Sequence, residues 1–351
     1  MKHLHHLFRE ELSDENNLFI KDGLIFIRSR YWTAADIIDM AGKSGTTNEV
    51  FDELFSDWHQ DRIGRQIELA EEILERHEQQ DRFLCLTEAH QAGSVMPFVG
   101  AGLSMPSGYP GWQNFLRKQR RQTSIPEVDF ELLLQHGKFE EAAQLVADEQ
   151  GVAFNVSVIS TFGCTRDLSG TVELLPYVFS GGVATTNFDN VLERSFLNAD
   201  KPITEKLTGV DAQAIRRMLT GNERFLLKLH GTTTALRGRI LTMNEYQANY
   251  IDGDAIRRTI KALCDSRTML FIGCSLTVDR TLSCMRDYVN MEGHDQLPMH
   301  YAFLADPDSE PQRLQRQKEL ADCHIYPIWY PQGTDDESIA ALLTKLHEAV
   351  Q

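Results

Sequence analysis

The sequence predicts an α/β fold: a doubly wound parallel sheet with a small, mostly helical N-terminal module. Three observations carry this. From Ser94 onward, short apolar runs (VMPFV, GVATT, FLLKL, TMLFI, HYAFL and HIYPI) alternate with helical stretches. Runs of this kind, apolar throughout rather than alternating, mark strands buried on both faces, as in parallel sheets. Before about residue 85 the apolar spacing is instead that of helices. The length, 351 residues, accommodates two domains and a core large enough for helices on both sheet faces. We place the module at residues 1–85 and the α/β domain at 86–351.

Taken in order, NLFIK and LIFIR flank Asp22-Gly23, a hairpin signal. Thr33 with Asp36 forms a capping-box pattern opening TAADIIDMAG, which Gly42 can end. Thr46 with Glu49 repeats it ahead of Val50, Leu54, Phe55 and Trp58. Ile63, Ile67, Ala70 and Leu74 then form one face of a long amphipathic helix, with Glu68, Glu71, Glu72 and Glu75 on or beside its polar side. That stripe needs a surface to pack on, either its own α/β domain or a second chain. His3, His5 and His6 read as a polar terminus. In the second part, segments such as FEEAAQLVADEQ supply the helical crossovers between strands.

Composition narrows the function classes. The chain is 42% hydrophobic and 25% charged, ordinary for a soluble protein, and has no run of about 18 apolar residues and no signal-peptide core. A cytoplasmic location without membrane association is expected. The net charge of −16 repels a phosphate backbone, so no direct nucleic-acid binding is expected, and RKQRRQ from Arg117 reads as a solvated helix face. Cys85, Cys164, Cys264, Cys274, Cys284 and Cys323 lack zinc-ligand spacing and read as buried reduced thiols, so no metal is expected.

Four motifs carry chemistry. In VMPFVGAGLSMPSG a strand runs into Gly100-Ala101-Gly102-Leu103-Ser104, a turn whose glycines let backbone N–H groups approach a pyrophosphate. The same turn also serves as a tight strand-to-helix connection. In VATTNFDNVLE, Thr186, Asn187 and Asp189 emerge at a strand end, where such folds bind ligands and where Asn and Asp also cap helices. In FLLKLHGTTT, His230 follows a strand and precedes Gly231; there it either exchanges a proton or is structural. In TMLFIGCSLTVD, a strand ends in Gly273-Cys274-Ser275, suited to ribose or phosphate contacts.

The order GAGLS, TTNFD, LHG, GCSL resembles the sirtuin superfamily, in its bacterial NAD-cleaving branch associated with antiphage defence, over roughly residues 90 to 330. The paired-cysteine zinc module and the acidic-aromatic-basic run of protein deacylases are missing after GAGLS. The resemblance implies a Rossmann-like fold and an NAD hydrolase releasing nicotinamide and ADP-ribose. In that reading Gly100, Ala101, Gly102 and Ser104 cradle the pyrophosphate, and Asn187 lies by the nicotinamide ribose and positions the attacking water. Asp189 holds the carboxamide or orders its loop, and His230 contacts the ribose hydroxyls as base or orienter. Thr186, Gly273, Cys274 and Ser275 line the ribose–phosphate path. An ADP-ribosyl- or deacyl-transferase and a non-catalytic NAD or ADP-ribose sensor are the alternatives. An enzyme that drains NAD needs control, so a homo-oligomer or a regulatory partner protein is expected, engaged through the N-terminal module.

Overall fold

The structure, a computed structural model, describes residues 8–9, 11–12, 24–27, 29–40, 46–221, 223–235, 238–277 and 280–350. The chain divides into two compact units, Met1–Leu69 and Ala70–Gln351.

In the first unit, strand β1 (Leu24–Ile27) pairs antiparallel with β2 (Arg30–Thr33). These strands are joined between Ile27 and Arg30, and the hairpin expected at Asp22-Gly23, like His3, His5 and His6, lies outside the described residues. Ser29 takes the left-handed conformation that so short a connection demands, with φ 65°. The expected capping box is present: Thr33 N–H and hydroxyl both donate to Asp36 Oδ2, and Asp36 N–H donates to Thr33 Oγ1 at 3.1 Å. It opens the helix Ala34–Met40. A 30-residue helix, Thr46–Glu75, follows, its residues up to Leu69 belonging to this unit and the rest to the second. Phe8, Leu12, Ile25, Ile37, Val50, Phe51, Phe55 and Trp58 form a core of this unit's own. Glu11 ties it at the rim, accepting from Trp58 Nε1 at 2.6 Å and from Arg62 at 3.0 Å.

The second unit is built on seven parallel strands: β3 (Val95–Val99), β4 (Val183–Thr185), β5 (Glu205–Thr208), β6 (Phe225–Lys228), β7 (Thr268–Ile272), β8 (His300–Ala305) and β9 (Ile325–Tyr330). Their order across the sheet is β5-β6-β4-β3-β7-β8-β9. β4, β6 and β7 are buried at every residue, which is why their sequences show no alternation. Leu227, Leu229, Phe271 and Ala302 are among the side chains of the main core. Each large apolar one contributes about 1.5–3 kcal/mol by leaving water. Six strands fall on the expected apolar runs. The seventh, β5, reads EKLT and escapes the pattern because it is a polar edge strand.

Pro97 lies inside the central strand, where a missing N–H is usually costly. Gly100 N–H donates to Ile272 O, so by alternation the even-numbered N–H groups of β3 face β7 and position 97 faces β4. The β3–β4 ladder begins only at Phe98, so no hydrogen bond is lost at Pro97.

After β3 the chain fills one side of the sheet, then crosses back and fills the other with β7, β8 and β9. The carboxyl end of β3 is thus the switch point where doubly wound folds leave a crevice for ligands. The cysteines are all free, but only Cys264 and Cys323 are buried; Cys85 is exposed, because its helix, Gln80–Gln91, turns it outward while burying Phe83 and Leu86. Arg117 and Arg120 in the basic stretch pair with Glu131 and Glu127.

Candidate active site

The turn after β3 is locked to the end of β7 by backbone contacts. Gly100 N–H donates to Ile272 O at 2.8 Å and Gly102 N–H to Gly273 O at 2.9 Å. A Cβ at Gly100 would stand 2.3 Å from Gly273 O, and one at Gly273 would stand 2.6 Å from Leu103 Cδ1. Gly273 also has φ +67°, which side chains rarely adopt. These glycines are required by the interlocking of two strand ends. Ala101 and Gly102 are half-buried in a short 3₁₀ turn, Ala101–Ser104.

Asn187 sits beside this turn, 7% exposed. Thr185, the last residue of β4, donates its hydroxyl to Val99 O at 2.7 Å and accepts Asn187 N–H at 2.9 Å. The Asn187 amide nitrogen donates to Gly100 O at 2.9 Å and to Ser104 Oγ at 3.2 Å. Because a backbone carbonyl only accepts, the group facing Gly100 must be the nitrogen. The amide oxygen is then the atom Asn187 can offer a ligand.

Ser104 is buried and bonds on two sides. It accepts from Asn187, and its hydrogen bond to Asp189 helps hold that carboxyl ionised. Burial nonetheless raises the Asp189 pKa above the ordinary carboxylate value, against the Val191 N–H, Ser104 and the Lys228 charge. Asp189 Oδ1 accepts Val191 N–H at 3.1 Å, so Asp189 also caps the helix Val191–Asn198.

A pocket brings Ala101, Ser104, Asn187 and Asp189 together with Tyr109, Pro110, Trp112, Phe162 and Phe188. The aromatic residues were not singled out from sequence. Trp112 meets Phe162 at 5.1 Å and Phe188 edge-on at 5.6 Å, forming one wall. They come from three separate segments, so no local pattern flags them.

His230 lies two residues beyond β6, outside the residues lining that pocket and next to the end of β4: Leu229 N–H donates to Thr185 O at 2.8 Å. Burial lowers its pKa to about 3, so the imidazole is neutral at physiological pH. Its Nε2 is 2.9 Å from the Tyr250 hydroxyl. Tyr246 packs edge-on against the ring at 5.4 Å and stacks on Tyr250. Tyr250 lies in a π-helical turn, Gln247–Ile251, a local distortion frequent at functional sites.

Thr186 is half-buried between Thr185 and Asn187. Cys274 is half-buried in the crevice, its thiol 3.5 Å from Phe98 O. Ser275 is exposed, its hydroxyl 3.4 Å from Thr277 Oγ1. The structure thus gathers the GAGLS, TTNFD and GCS segments at one crevice, with His230 on the adjoining strand end. Among the described residues no group of three or more His, Cys, Asp or Glu is placed to hold a metal ion, and no helix is long and apolar enough to cross a membrane.

Residues 181–328, from the start of β4 into β9, match the family described as SIR2-like domain. The match begins beyond the GAGLS turn, which the fold nevertheless joins to the domain through Gly273. The chain is also 27% identical over 210 residues to the NAD(+) hydrolase ThsA of Enterococcus faecium, covering 57% of this chain and 41% of that protein. It is 24% identical over 237 residues to NAD(+) hydrolase ThsA of Acinetobacter baumannii, 65% of this chain and 46% of that protein. Defense-associated sirtuin 2 of Bacillus subtilis is 22% identical over 231 residues, 63% of this chain and 22% of that protein. The matched region spans less than half the length of these relatives. Two of these relatives are named as NAD(+) hydrolases.

Proposed function

We propose that the SIR2-like domain hydrolyses NAD at the nicotinamide–ribose bond and acts in antiphage defence, a reading supported by the defence association in the name of the Bacillus subtilis relative. The observation that carries this is the placement of Asn187: its nitrogen is spent on Gly100 and Ser104, leaving its oxygen as an acceptor at the switch-point pocket. In the reaction the C1′–N bond breaks, its electron pair leaves with nicotinamide, and a water oxygen bonds C1′ while one proton is released. Nicotinamide is already a cationic leaving group. The protein has only to hold the sugar, supply acceptors where positive charge develops, and admit water.

Asn187 Oδ1 accepts a hydrogen of the attacking water and orients it. Asp189 supplies the negative charge and hydrogen-bonding capacity for the carboxamide. His230, neutral and fixed by Tyr250, orients a ribose hydroxyl rather than storing a proton, because a group whose pKa is near 3 is a weak base. The turn Gly100 to Ser104, with Thr186, Gly273, Cys274 and Ser275, lines the phosphate and ribose path. The aromatic wall of Trp112, Phe162 and Phe188 excludes bulk water.

NAD consumption followed by product chromatography tests this. Equal amounts of nicotinamide and ADP-ribose are expected. ADP-ribose attached to a protein or an acyl group would replace hydrolysis by transfer, and binding without turnover would make the domain a sensor. Asn187→Ala and His230→Ala are each expected to abolish cleavage with the fold retained. Parental turnover by either variant would overturn that residue's role.

A further inference from the structure

Lys228 is 5% exposed, at the end of a strand, and takes no part in the chemistry above. An ammonium group has three N–H donors, and here it meets three acceptors. They are Phe188 O at 3.4 Å, Asp189 O, and Glu193 Oε1 at 3.1 Å. Burying an ammonium costs several kcal/mol unless it is paired and fully bonded, so its presence here calls for a reason. The register gives one. Lys228 lies directly opposite Thr185 on β4, so the two side chains share a sheet face. Thr185 accepts Asn187 N–H, and Lys228 grips the next two carbonyls. The segment from Asn187 to Asp189 is therefore seated on two side chains, with Ser104 bonded to it from the GAGLS turn.

We propose that Lys228 is a positioning residue that fixes the Asn187–Asp189 loop at the height the reaction needs. It touches no substrate. Glu193 serves as its counter-ion through Oε1, which also lies 3.8 Å from the more exposed Lys206 ammonium, while Glu193 Oε2 is buried without a hydrogen-bond partner. The inference deepens the proposed reaction, and its kinetic arm rests on that reading.

The test uses the full chain carrying Lys228→Met, and Lys228→Met with Glu193→Gln, which removes the half-buried carboxylate that loses its nearer cation, should the single variant fail to fold. Hydrogen exchange by mass spectrometry is read over residues 186–191 and over the β4–β6 ladder. Exchange across 186–191 is expected to rise by roughly tenfold or more, because Asn187 N–H and Val191 N–H are held only by this loop geometry. The ladder, reported by Leu229 N–H on Thr185 O at 2.8 Å, is expected to keep its protection. The kcat for NAD cleavage is expected to fall roughly 10- to 100-fold with KM changing much less, the signature of misplaced groups. Unchanged exchange over 186–191 in a folded variant would overturn the proposal, as would exchange rising equally in the ladder. A parent chain that does not cleave NAD would overturn the proposed function instead, and the exchange data alone would then decide the role of Lys228.

Discussion

Acidification is expected to destabilise the second unit, through two buried imidazoles. Burial lowers the pKa of both His230 and His300 to about 3. His300 Nδ1 accepts Met269 N–H at 3.2 Å, which also requires the neutral ring. In the unfolded chain each titrates near the ordinary value of about 6.5. The sign follows. Below pH 6.5 the unfolded state binds protons that the folded state refuses, so stability falls as pH falls and continues to fall until about 3. Going from about pH 7.5 to pH 5 costs each imidazole close to 1.5 pK units, or about 2 kcal/mol, and the pair about 4 kcal/mol. Asp189 works oppositely: its folded pKa is raised, so proton uptake stabilises the fold as pH falls through that range. The assay is urea unfolding at half-unit pH steps, on the parent and on His300→Asn. Asparagine retains an acceptor for Met269 N–H and cannot titrate. The variant is expected to lose about 2 kcal/mol less than the parent over the same interval, whatever the other buried groups contribute to both. A variant whose stability falls with pH as steeply as the parent's would refute the reasoning for His300.

Two other outcomes are expected. Gly273→Ala places a methyl 2.6 Å from Leu103 Cδ1 and 2.8 Å from Leu103 N at φ +67°, and is expected to lose about 1–3 kcal/mol in thermal unfolding together with NAD cleavage; parental stability would show that the turn yields. We further propose that the N-terminal module governs assembly, and removal of residues 1–69 tests this with size and NAD cleavage measured together. The cut falls before Ala70, Ile73, Leu74, Gln79 and Phe83, which are buried. A smaller particle with altered activity is expected, and unchanged size with unchanged activity would sink the idea.

Much of the site was legible in the sequence because its parts are local. A strand followed by Gly100-Ala101-Gly102, or by Thr186-Asn187, is a short pattern whose conformation its own residues dictate. The parts that were not legible come from distant segments. Tyr250 reaches His230 across 20 residues through a π-turn that no periodicity announces. Trp112 and Phe162 join the site only when the fold sets them beside Phe188.

The sequence by itself determined which segments become the central strands, because an apolar run with no polar alternation has no stable place except between two helical layers. It also determined that chemistry-bearing residues follow those strands. Strand order, and with it the crevice, came only from the tertiary structure. The polar run EKLT became a strand because β6 offered it an unpaired edge, a choice made by backbone hydrogen bonds rather than by side chains. Lys228, in a run that reads as an apolar strand with one stray charge, is buried because Glu193 and two loop carbonyls arrive from elsewhere to pair it. A side chain's chemistry is local, but whether it can be taken out of water depends on partners that only folding brings within reach.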